Sequence, residues 1–109
     1  MEKSSLTALS RELLTAAVAS SSGRSSRTVY GGHQRVLRQT VIALAAERML
    51  DDHDNPGEAT LYVLRGRIVL AAGDVSWDGS PGDLLVVPQT RHSVTALEDS
   101  AFLLTVAKP

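Results

Sequence analysis

From residue 59 to residue 107 the sequence keeps one rhythm, a short apolar run followed by a turn that is usually marked by glycine. Residues 60–64 lead into Arg65-Gly66, residues 68–72 into Gly73-Asp74, and residues 75–77 into Asp78-Gly79-Ser80-Pro81-Gly82. Residues 84–87 end at Pro88, and residues 92–97 and 102–107 flank the turn Glu98-Asp99-Ser100. Each run is too short for a helix of several turns, and β-branched residues are frequent in them. Short strands with turns about every ten residues specify an all-β sandwich or barrel. The sequence has no longer repeat of the kind that builds a solenoid or propeller.

The first half is organised differently. Leu6, Leu9, Leu13, Ala16 and Ala17 recur at three- and four-residue spacing, which predicts an amphipathic helix over residues 6–20 with Ser4 or Ser5 as its cap. The serine- and glycine-rich residues 20–26 end it. A short strand is expected at residues 27–30, a turn or bulge at Gly31-Gly32, and a longer strand over residues 34–45. Thr40, Val41 and Ile42 favour the strand against the helix formers around them. The acidic, turn-rich segment from Asp51 to Gly57 separates that strand from the regular part. The expected division is a helix and linker at residues 1–26 and a barrel at residues 27–109.

Composition narrows the function classes. At 109 residues the chain supports one hydrophobic core. Its formal net charge of -1 does not provide the broad basic surface that nucleic acid requires, and nothing resembles a helix-turn-helix. Without cysteine, disulfides and thiolate metal sites are excluded, so any metal must rest on His, Asp, Glu, Asn or Gln. No apolar run has the roughly 18–20 residues of a membrane span. The run at residues 13–19 lacks the basic flank of a signal peptide, since Glu2 and Glu12 sit where positive charge belongs. The expectation is a cytoplasmic protein without nucleic-acid or membrane partners.

Two segments carry the candidate chemistry. Gly82, Pro88 and His92 frame one, and His53, Asn55 and Glu58 stand in the other. Residues 35–106 resemble the cupins, whose small members are a single jelly-roll barrel, the double-stranded β-helix. The second cupin motif has a glycine, five residues, a proline and, after a short spacer, a histidine; Gly82, Pro88 and His92 fit that order with a spacer one residue short. The first motif has two histidines flanking one residue, then a glutamate, then a glycine seven residues further on. His53 matches the first histidine, Asn55 stands at the second, and Gly66 puts the glutamate position at Ala59, one residue after Glu58. The resemblance therefore implies a cupin-type jelly-roll barrel whose metal motif is degenerate.

Two functions stay open. In the first, a small molecule binds in the barrel mouth without a metal, lined by His53, Asn55, Glu58, His92, Gln39 and Tyr62. In the second, His53, His92 and Glu58 hold a divalent transition metal in a two-histidine, one-carboxylate set, and the protein is an oxygenase, isomerase or lyase. The second requires Glu58 to turn inward where Pro56-Gly57 interrupts strand alternation. His33 is a further candidate for the pocket wall, and Trp77 serves equally well as wall or core. Exposed strand edges predict a homodimer, with residues 27–37 as the expected interface.

Overall fold

The computed structural model describes residues 2–53 and 57–108, with only the backbone given for Asp52 and His53. Its helix, α1 (Leu6–Ala19), begins at Ser5, whose hydroxyl accepts a hydrogen bond from the Ala8 amide at 3.2 Å. That bond satisfies one of the amides left without a partner in the first turn. Leu9, Leu13 and Ala17 form its buried stripe, and the serine-rich segment ends it at Ser20 as the composition predicts.

The strands are β1 (Arg24–Tyr30), β2 (Leu37–Leu44), β3 (Met49–His53), β4 (Glu58–Arg65), β5 (Ile68–Ala72), β6 (Val75–Gly79), β7 (Leu84–Val87), β8 (His92–Ala96) and β9 (Ser100–Ala107). They form a larger sheet in the order β1-β2-β9-β4-β7 and a smaller one in the order β3-β8-β5-β6, with antiparallel neighbours. The two sheets close around one core. Leu44, Leu61, Val63 and Phe102 come from the larger sheet, and Ile68, Leu70, Val94 and Ala96 from the smaller. A second apolar cluster lies outside the barrel, where Leu9, Leu13 and Ala17 of α1 cover Val41, Ala43 and Ala101. The larger sheet is thus covered on both faces along β2 and β9, and both side-chain parities there are apolar.

Gly66 shows how the turns are fixed. It has φ +78°, and a Cβ there would run into the Ser100 hydroxyl and the Asp99 carbonyl. Ser100 is fully buried, and its Oγ accepts from the Arg67 amide at 3.0 Å. The same hydroxyl lies within donating distance of the Glu98 carbonyl at 2.7 Å and the Arg67 carbonyl at 3.0 Å. One serine thus clips the β4–β5 turn to the start of β9, and glycine is required because backbone and hydroxyl fill the space beside it.

Three boundaries differ from expectation. Strand β1 begins at Arg24, so residues 24–26 belong to the sheet rather than to a linker. Strand β2 begins at Leu37, because the preceding residues make a turn in which the Arg35 amide donates to the Gly32 carbonyl at 3.2 Å. Strand β3 was not expected, since Asp51, Asp52 and His53 read as a polar turn; it pairs with β8 alone and needs few apolar side chains of its own.

The helix contact is testable. Leu13 is 4% exposed in the outer cluster. Leu13→Ala should cost about 2–4 kcal/mol of unfolding free energy, the usual range for an emptied leucine site. Urea unfolding reads this directly, and an unchanged midpoint would mean that α1 contributes nothing to barrel stability.

Candidate functional site

The strand register writes out the interior face of the larger sheet row by row. Ile42, Phe102 and Val63 form an apolar row in mid-barrel. The next row runs Thr28, Thr40, Leu104, Leu61 and Leu85, and the one after it Arg38, Val106, Ala59 and Val87. Polarity therefore increases towards the β1–β2 corner. The Thr28 and Thr40 hydroxyls lie 3.2 Å apart. They share an open recess of ≈ 900 Å³ with Arg38, Leu104, Val106 and residues 31–36. A few polar groups over an apolar floor is the usual make-up of a small-molecule site.

His92 opens β8 in the smaller sheet. It shares its parity with Val94 and Ala96, both in the barrel core, so its ring is on the interior side and is 5% exposed. Its Nδ1 lies 2.9 Å from the Thr90 carbonyl oxygen. A carbonyl can only accept, so Nδ1 carries the proton, and in the neutral ring Nε2 is the nitrogen with the lone pair. This is how an imidazole is oriented for an acceptor or ligand role through Nε2.

The residues expected at the site are distributed unevenly. The backbone of His53 lies directly opposite His92 in the β3–β8 register, so these two positions are brought together. The His53 side chain and Asn55 lie outside the described residues. Glu58 is exposed and has the parity of Thr60 and Tyr62, while Ala59, Leu61 and Val63 point into the barrel. The inward turn expected of Glu58 is absent: alternation is already in step at the first residue of β4, and the small apolar Ala59 occupies the interior position. Gln39 and Tyr62 are also on the outer face. The Gln39 amide donates to the Thr105 hydroxyl at 3.2 Å, and Tyr62 pairs with Leu103 and Leu84. Gln39 shares its face with Val41, and that face is covered by α1 and not by the barrel.

Among the described residues no three His, Asp or Glu side chains gather into a metal-binding group. With Ala59 at the interior position and Glu58 outside, the described residues do not supply the carboxylate of a cupin metal centre, and no step is derived through a metal. His33 does line the recess, as considered from the sequence. The residues not anticipated there are Thr28, Thr40, Arg35, Arg38 and Lys108. The signal for Arg38 and Thr40 was present in the alternation with Val41. It would have been read had the small residues Ala43 and Ala101 been assigned to the footprint of the helix.

No family model matches the sequence, and no curated protein matches it. Solved structures do. An RmlC-like cupin from Desulfovibrio desulfuricans is 26% identical with a TM-score of 0.67, over 77% of this chain and 81% of that one. A conserved protein of unknown function from Streptococcus pyogenes is 25% identical with a TM-score of 0.71, over 83% and 78%. A cupin superfamily protein from Desulfitobacterium hafniense superposes with a TM-score of 0.72 at 17% identity, over 79% and 78%. With two antiparallel sheets closed on one core, a glycine-turned β4–β5 connection, an interior histidine after Pro88 and these structural neighbours, the chain has the jelly-roll fold of a small cupin domain.

Proposed function

We propose that this cupin binds a small molecule in the barrel mouth, at the recess between the Thr28–Thr40 pair and the segment 31–36, and acts there as a ligand-binding module. The observation that supports this most is the mouth itself. Its floor of Leu104 and Val106 is apolar, its wall carries hydroxyls and Arg38, and the carboxylate position of the family is filled by Ala59. An alanine at that position gives a metal nothing to hold. His92, with Nε2 as its acceptor nitrogen, is the interior polar group of the facing sheet.

The alternative is a metal-dependent cupin enzyme, and one observation favours it. The backbone of His53 lies opposite that of His92 in the β3–β8 register, which supports a pair of ligands across one strand pair. In that reading Glu58, exposed on the outer face, is not a ligand.

The protein is further proposed to be a cytoplasmic homodimer. None of the described helices is long and apolar enough to cross a membrane. The interface expected at residues 27–37 mixes exposed Tyr30, Val36 and Leu37 with polar side chains, and Arg27 there pairs with Glu12 at 3.0 Å. At the opposite edge of the sheet, Leu84 is 61% and Val86 74% exposed, beside Tyr62. An edge strand with apolar side chains on its outer face is the better seat for a second copy.

Two measurements test these readings. Metal analysis of untagged protein should find well under one equivalent of transition metal, with no uptake on titration. About one equivalent of a single metal, lost in both His53→Ala and His92→Ala, would establish the enzyme alternative instead. Light scattering should show a dimer that Val86→Lys converts to monomer. A wild-type monomer at micromolar concentration, or a variant that still dimerises, would remove β7 as the interface.

A further inference from the structure

The charges around the recess are one-sided. Arg35, Arg38, Lys108 and His33 line it, and no described Asp or Glu does. The chain as a whole has 12 acidic and 11 basic residues, so this corner departs from the surface average. Elsewhere, Arg27 is paired with Glu12 and Arg67 lies 3.7 Å from Asp78. Arg35, Arg38 and Lys108 have no ion pair among the described residues.

The three cations come from three segments that the backbone ties together. Arg38 has the interior parity of β2, in register with Val106 and, across β9, with Ala59. Gly31, at φ +108°, lets the turn lie so close to β2 that a Cβ would meet Arg38 Cα at 2.8 Å. The same turn carries Arg35, whose amide donates to Gly32. The Lys108 amide donates to the Val36 carbonyl at 2.9 Å, which fastens the end of β9 to that segment. Holding like charges around one concavity is unfavourable unless an anion enters it, and partial enclosure strengthens the attraction to that anion.

We propose that the ligand of the mouth is a small hydroxylated organic anion whose oxyanion is gripped by Arg38 and Arg35, with Lys108 adding charge. The planar guanidinium fork matches a carboxylate or a phosphate in two parallel hydrogen bonds. The Thr28 and Thr40 hydroxyls face the body of the molecule, and Leu104 and Val106 take its apolar side. The inference rests on the mouth being the ligand site and adds the chemical class of the ligand.

Three probes of similar size separate the possibilities: gluconate, glucose 6-phosphate and glucose, each titrated into ¹⁵N-labelled full-length protein. The expected result is that at least one anion shifts the Thr28, Thr40 and Arg38 amides, that glucose does not, and that added salt weakens the binding. Arg38→Gln should raise the Kd about tenfold or more, and Arg35→Gln should raise it by less. Arg67→Gln, at a surface pair, serves as the control and should leave it unchanged. The stronger of the two anions identifies carboxylate or phosphate as the recognised group. Glucose shifting the same amides as strongly as the anions would overturn the anion inference while leaving the mouth as the site. Shifts elsewhere, or none with any probe, would remove both. Anion binding unchanged in Arg38→Gln and Arg35→Gln would overturn the assignment to these arginines.

Discussion

Strand β9 holds this molecule together. It is hydrogen-bonded along both edges, to β2 and to β4, and is covered on both faces. Phe102, Leu104 and Val106 point into the barrel, while Ala101 and Leu103 point towards α1. The small size of Ala101, Ala43 and Ala17, all without exposed surface, lets the helix backbone approach the sheet closely. Because β9 is the shared partner, it sets the register of β2 against β4. The rows of the interior face, and hence the composition of the mouth, follow from that single alignment.

That double coverage also explains which parts of the fold were legible in the sequence. Residues 68–72 and 84–87 form strands over the expected span, because a short apolar run between turn residues has few other uses. The helix was equally legible, from the three-four spacing of Leu6, Leu9 and Leu13 and the serine cap. Strand β3 was hidden because its sequence is polar and its support comes from β8, distant in the chain. The site suffered from a related ambiguity. In a strand with apolar residues on both parities, alternation assigns residues to two faces without saying which face is the interior. Gln39, expected in the barrel mouth, instead shares the face of Val41, which belongs to the helix. The one-residue offset between Glu58 and Ala59 decided the misplacement of Glu58.

The resulting mouth differs in kind from a metal centre. Its described polar groups gather in one corner, from β1, β2 and the segment between them. A metal site concentrates negative and neutral donors on one point, whereas this corner spreads positive charge and hydroxyls along a recess. His92 is shared by both designs, since an imidazole fixed through Nδ1 serves equally as a ligand or as a hydrogen-bond acceptor. One barrel thus keeps an interior histidine, while the proposed ligand binding lies with a neighbouring set of strands.

The central placement of β9 has a kinetic side. The β1–β2 and β5–β6 pairs are hairpins of neighbouring segments and can form early. The pairings of β9 with β2 and β4 close long loops, and their entropic cost falls before any of their contacts is gained. Until that closure, β2 and β4 each present an unpaired edge and an apolar face. The folding of this chain should therefore be limited by the arrival of one strand, and the period before it arrives is when the protein is most exposed to misassociation.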